Sequence, residues 1–218
     1  MQTLTRLLVE HGHDGRILTD ETLAHLLPGE DQKRYNLVNR ALKAGELARI
    51  CRGVYQVRGF QGKHHPAHPF VIAQVIAPGS FVSAETALSY HGWIPESVRI
   101  TISISPGVKS KHVHSAIGGD YEFRPLSVCQ GGFLELVQRQ AFNAQVALVA
   151  KPARALMDMV YLNKIAWQGL DWLTESLRIE LDLLRAVPAI DYQILGGVYK
   201  HKRVLRFLNK LVEALEND

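Results

Sequence analysis

The stretch Glu30–Val57, EDQKRYNLVNRALKAGELARICRGVYQV, decides how the first part of the chain folds. Its acidic start suits the positive end of a helix, and Gly45 sits where a left-handed residue would close one. At 100° per residue Tyr35, Val38, Ala41 and Leu42 share one side of that helix, while Lys33, Asn36, Arg40 and Lys43 share the other. Two apolar-rich segments then flank Arg52-Gly53, the pattern of a tight hairpin. Upstream, Leu4, Leu7 and Leu8 predict a helix that stops at Gly12, Arg16–Thr19 is short and extended, and Thr19 or Asp20 can cap a helix carrying Leu23, Leu26 and Leu27. Pro28-Gly29 ends it. Three helices followed by a hairpin are the plan of a winged helix-turn-helix domain, placed here at residues 1–58.

In that plan the last helix lies in the major groove and the hairpin meets flanking phosphate. The helix carries Gln32, Lys33, Arg34, Asn36, Asn39, Arg40 and Lys43, and the wing carries Arg49 and Arg52. Arg and Lys pair with guanine edges or phosphates, and Asn and Gln bond adenine bidentately. These nine residues are the candidate DNA-binding set. A solvated helix face, or a winged helix used for protein docking, are the competing readings.

The chain has 218 residues, 47% of them hydrophobic, and a net charge of +4. That balance fits a globular protein and only mildly favours a polyanionic partner. No window approaches eighteen consecutive apolar residues and the first residues lack a secretory pattern, so a cytoplasmic location without membrane attachment is expected. Cys51 and Cys129 fit neither a disulfide framework nor a paired-cysteine metal site and are expected to be reduced core thiols. Gly59–Pro69, GFQGKHHPAHP, reads as a linker; its His64, His65 and His68 lack a neighbouring carboxylate or thiolate and are read as solvated rather than metal-binding.

Residues 70–218 predict a larger mixed domain, making the whole an α+β protein. Ser83 is placed as the N-cap of a helix with Ala84, Ala87, Leu88 and His91, stopped by Gly92. Val98–Ser105, VRITISIS, alternates strictly and predicts a strand with one buried and one wet face. The GGDYEF stretch at 118–123 predicts a hairpin turn into a further strand. Asn143–Leu162 predicts a strand running into a helix, with Pro152 in its first turn, Leu156, Met159 and Val160 inward, and Asp158 needing a local backbone or Arg partner. The remainder reads as helical. Its last helix carries a stripe of Val204, Leu208, Leu211 and Leu215 and a basic face of Lys200, Lys202, Arg203, Arg206 and Lys210, which is either solvated or a second nucleic-acid or antitoxicity surface.

Three segments together, Arg52–Tyr55 (RGVY), Val82–Val98 (VSAETALSYHGWIPESV) and Lys151–Leu162 (KPARALMDMVYL), resemble the AbiEi antitoxins, transcriptional regulators of bacterial type IV toxin-antitoxin and phage-defence loci. The resemblance implies a winged helix that binds operator repeats, a C-terminal domain serving antitoxicity and cooperative DNA binding, and self-association on DNA. It also implies a nucleotidyltransferase toxin encoded alongside, countered without a stable complex. No cofactor, metal or catalytic residue is expected. The alternatives are a solitary regulator without a toxin and a nucleic-acid-processing enzyme such as a metal-dependent nuclease, in which His91, Glu85 and Asp158 would converge. The carboxylate spacings of a nucleotidyltransferase are missing, and the nuclease-like Asp31-Gln32-Lys33 opens the recognition helix instead.

Overall fold

The computed structural model describes residues 4–58, 67–115, 117–142 and 145–217. Its first part runs α1 (Leu4–Glu10), β1 (Ile17–Thr19), α2 (Asp20–Leu26), α3 (Asp31–Lys43), β2 (Leu47–Cys51) and β3 (Val54–Val57). Thr19, not Asp20, caps α2, its side chain accepting from the Thr22 N–H at 3.1 Å. At the other end of α3, Gly45 turns left-handed at φ 72°, and the Glu46 N–H reaches back to the Ala41 carbonyl at 2.9 Å. Those two features are a Schellman closure, and they aim the chain directly into β2. The antiparallel three-stranded sheet has the order β1-β3-β2, the arrangement of a winged helix. Leu4, Leu8, Leu18, Leu23, Val38, Ala41, Leu47, Tyr55 and Val57 form its core.

One placement differs. Tyr35 is 61% exposed, outside the buried arc of α3, whose inner edge is held by Val38 and Ala41. It lies at the margin of that arc, where a bulky ring keeps more contact with water than with the small core below.

The second part is a six-stranded sheet of order β6-β7-β5-β4-β9-β8. Its strands are β4 (Phe81–Val82), β5 (Ile100–Ser105), β6 (Lys111–Ser115), β7 (Gly119–Pro125), β8 (Val137–Phe142) and β9 (Gln145–Ala150). It is mixed: β4 runs parallel to β9 and β5 to β7, and the other pairings are antiparallel. The β6–β7 hairpin occupies the predicted GGDYEF turn. Helix α4 (Pro69–Ile76) covers one face, where Ile72, Ala73 and Ile76 meet Tyr121 and Phe123. Helices α5 (Ala84–Tyr90), α6 (Pro152–Leu162), α7 (Leu181–Arg185), α8 (Ala189–Val198) and α9 (Lys202–Asn217) complete the domain. The Arg154 guanidinium of α6 lies 5.3 Å from the Phe81 ring centroid, so α6 covers the opposite face.

Cover on both faces overturns the expectation for β5. Thr101, Ser103 and Ser105 are all buried, not wet, because β5 lies between β4 and β7 and register puts Thr101 beside Tyr121 and Ser103 beside Phe123, under α4. The apolar side is the less enclosed one at the start of the strand: Ile100 is exposed, Ile102 is half-buried and Ile104 is buried. The continuous C-terminal helix is also interrupted, at Tyr199–His201, which leaves Lys200 outside α9. Cys51 and Cys129 are free but only half-buried, at the margin of the core rather than within it.

The two parts share apolar contacts. Alternation along β2 and β3 turns Leu47, Tyr55 and Val57 toward the helices and Ile50 and Val54 to the other side, where they join Ile72, Ala73, Tyr121 and Phe123. The wing sheet is therefore buried on both faces. Of the predicted linker, 59–66, with His64 and His65, lies outside the described residues; Ala67 is buried, His68 caps α4 and Pro69 begins it.

Candidate nucleic-acid interface

Helix α3 presents Gln32, Lys33, Asn36, Arg40 and Lys43 to solvent, with Asn39 half-buried beside them. The Gln32 amide donates to Asn36 Oδ1 at 3.3 Å, which aligns two amide side chains along one ridge. Lys33 is 3.4 Å from Glu30, an exposed pair held too weakly to keep the ammonium from a phosphate. Arg34 differs: half-buried and ion-paired to Asp31, it is tied to the start of its own helix. Tyr35, assigned by periodicity to the inner side, instead joins the rim of this face. Its only sequence signal was its position at the edge of the apolar arc.

The wing is short. Arg52-Gly53 is a two-residue turn in which Gly53 adopts φ 76°, and the Gly53 carbonyl accepts from the Asp20 N–H at 2.9 Å. A Cβ on Gly53 would stand 2.8 Å from Asp20 Oδ2, so this turn needs glycine for both conformation and space. Arg52 is exposed at the tip. Arg49 is exposed on the helix-facing side and lies 5.8 Å from the ring centroid of Tyr55, its cross-strand neighbour. Burial, then the nearby Asp20 carboxylate, raise the Tyr55 phenol above its ordinary value, so it stays neutral beside Arg49.

The second basic group lies elsewhere. Lys202, Arg206 and Lys210 are exposed along α9, and Lys200 precedes them. Arg203 is half-buried and donates to the Tyr161 carbonyl at 3.2 Å, which removes it from that surface. Val204, Phe207, Leu208 and Leu211 anchor the helix, Phe207 being an anchor the predicted stripe omits. Since α9 packs on α6 and α8, this group and the wing lie on opposite faces of the six-stranded sheet.

Residues of the Val82–Val98 segment have structural partners. Ser83 stands at the N-cap position of α5 as expected, but its side chain makes no capping bond; its hydroxyl donates instead to Asp158 Oδ2 at 2.6 Å. Arg154, four residues before Asp158, binds Oδ1 at 2.9 Å, and the Tyr199 hydroxyl donates to the same oxygen at 2.6 Å. Arg154 also donates to the carbonyls of Gly132, Phe133 and Glu135. The whole cluster is enclosed, and the partner expected for Asp158, a local backbone group or Arg, is Arg154. Burial, then the Asp158 charge, hold the Tyr199 phenol well above its ordinary value, so it remains a donor. His91 Nε2 lies 2.9 Å from the Ala150 carbonyl, and burial pulls its pKa down. Glu85 accepts from Asn163 at 2.7 Å. His91, Glu85 and Asp158 thus engage three different partners rather than one another. Among the described residues no group of three or more His, Cys, Asp or Glu could hold a metal ion, and no helix is long and apolar enough to cross a membrane.

No protein-family model matches the chain, and no curated protein matches it in sequence. Among solved structures the chain is similar to the RV2827C protein of Mycobacterium tuberculosis, with a TM-score of 0.61 and 14% identity, over 97% of this chain and 75% of that one. At that identity the likeness is one of fold, extending through both parts of the α+β architecture.

Proposed function

We propose that this chain is a DNA-binding transcriptional regulator that reads operator DNA through α3. The supporting observation is the outer face of α3, where Gln32, Lys33, Asn36, Arg40 and Lys43 all project from a helix set in a winged-helix frame. These side chains combine phosphate attraction with bidentate base recognition. Arg34, held by Asp31, contributes to the helix start rather than to readout. Arg49 and Arg52 add contacts to backbone phosphate.

The resemblance of Val82–Val98 and Lys151–Leu162 to AbiEi antitoxins extends the proposal to autorepression of a type IV toxin-antitoxin locus in the cytoplasm, with operator repeats bound by self-associating copies. The exposed Lys200, Lys202, Arg206 and Lys210 face is then the antitoxicity surface, because it faces away from the wing. A nucleotidyltransferase toxin would be the functional counterpart.

Footprinting on the upstream region of the native gene tests the core of this reading. Lys33→Ala and Arg40→Ala each cost about 1–3 kcal/mol on the preferred site where the side chain reads a base. Arg52→Ala weakens all sequences alike. Unchanged site affinity in both helix variants would remove the assignment of α3. Toxin rescue in cells, with Lys200, Lys202, Arg206 and Lys210 replaced by Gln, tests the antitoxin role separately; full protection by that variant would refute the assigned surface.

A further inference from the structure

The wing of this protein ends in a two-residue turn and is clamped to the start of α2 through the Asp20–Gly53 hydrogen bond. It has little reach of its own. Edge strand β6 of the second sheet runs beside β2, and its Val113 packs into the same cluster as Ile50, Cys51 and Val54. The two faces of β6 carry different electrostatics. His112 stands opposite Glu122, and His114 Nδ1 is 2.8 Å from Asp120 Oδ1, so that face carries acidic side chains beside its imidazoles. Lys111 belongs to the face shared with Val113, its ammonium 6.0 Å from the Phe123 ring centroid. That ammonium is near enough to the wing turn to oppose the upward push of burial on the Cys51 thiol. Lys109 precedes it in an exposed loop, and neither lysine is ion-paired among the described residues.

We infer that Lys111, beside the turn that carries Arg52, and Lys109, two residues before it in the chain, form a second phosphate-contacting strip on the DNA backbone flanking the site read by α3. Strand β6 does here what a longer wing does elsewhere: it lays cations along the duplex without reading bases. The inference rests on the proposal that α3 binds DNA, and it makes the second sheet part of the same interface. Packing of β2 on β6 fixes where Lys111 stands relative to the wing turn, which lowers the ordering cost of that contact on binding.

The test is a salt series of operator affinity for the full chain and two variants of equal charge change, Lys109→Gln/Lys111→Gln and Lys202→Gln/Lys210→Gln. Losing two phosphate contacts lowers the slope of log affinity against log salt by about 1.8, which is roughly sixtyfold weaker binding at 0.1 M salt if the lines meet at 1 M. The β6 variant shows that change with sequence preference retained, and the α9 variant keeps the parental slope. An unchanged slope in the β6 variant, or an equal loss in both variants, overturns the strip while leaving α3 binding intact. Absence of salt-sensitive duplex binding by the parent protein would instead remove the α3 proposal itself. Lys111→Arg, which retains the charge, restores the slope if contact with phosphate is the cause.

Discussion

Replacing Asp158 by Asn isolates the energetic role of the enclosed polar cluster. The carboxylate accepts from Arg154, Tyr199 and Ser83, and all four residues are shut away from water. Asn preserves the shape, and its amide can donate to the Ser83 hydroxyl where the carboxylate accepted. The Arg154 charge is what it cannot compensate. Three carbonyls, of Gly132, Phe133 and Glu135, solvate that guanidinium but do not neutralise it. Breaking a buried pair from one side costs about 3–5 kcal/mol. Against a total stability of roughly 5–15 kcal/mol, that is a large share. With a urea m-value of about 2–3 kcal/mol/M for a chain of this size, the midpoint falls by roughly 1–2.5 M. Ser83→Ala and Tyr199→Phe each delete one hydrogen bond to a charged group and cost less, about 1.5–3 kcal/mol. Urea unfolding followed by circular dichroism gives the ranking. An Asp158→Asn protein within 1 kcal/mol of the parent, or no weaker than Ser83→Ala, would refute the claim that charge compensation of Arg154 dominates the cluster, at the scale expected of such a pair.

Other perturbations follow from single features. Gly53→Ala forces a side chain into a left-handed turn against Asp20 Oδ2 and destabilises the protein by about 1 kcal/mol or more, read as a lower thermal midpoint; an unchanged midpoint would mean the turn is not constrained. Tyr35→Ala leaves stability within about 0.5 kcal/mol, since the ring is on the surface, but weakens operator binding in a gel-shift assay; normal binding would take Tyr35 off the interface. Burial lowers the His91 pKa below its unfolded value, so the unfolded chain takes up the proton first as pH falls. The His91 contribution is complete above the unfolded pKa and is lost as pH drops through it toward the folded one. His91→Gln, which keeps a donor for the Ala150 carbonyl, therefore shows a shallower loss of stability between pH 7 and 5, and parallel curves would exclude His91 as the source.

What the sequence made legible was local. Gly45 and Thr19 announced helix ends because caps depend on a few adjacent residues, and Arg52-Gly53 announced the hairpin for the same reason. Asp158 pointed to a local backbone or Arg partner because a carboxylate within an apolar helix requires one, and the partner is Arg154. What escaped depended on distant segments. The hydroxyl face of β5 was read as wet because alternation reports two environments without saying that α4 covers one of them. Ser83 holds the cap position it was given, but its side-chain partner lies seventy-five residues on. The residue types on which DNA binding is proposed were visible on α3, but Arg34's engagement with Asp31 and the adjacency of Lys111 to the wing were not, since both depend on side-chain geometry or on packing between the two sheets.

The doubly covered wing sheet bears on what can be moved between proteins. A winged helix is commonly treated as a cassette, to be cut out and fused to another effector. Here a cut after Arg58 would leave Ile50 and Val54 facing solvent, each forfeiting roughly 1.5–3 kcal/mol of burial. The fragment would seek a replacement surface, in another fragment or in an aggregate. Any chimera built on this winged-helix part has to carry α4 and the β6–β7 hairpin with it. The smallest transplantable unit therefore ends well inside the second sheet, and drift in the wing is answerable to Tyr121 and Phe123, far along the same gene.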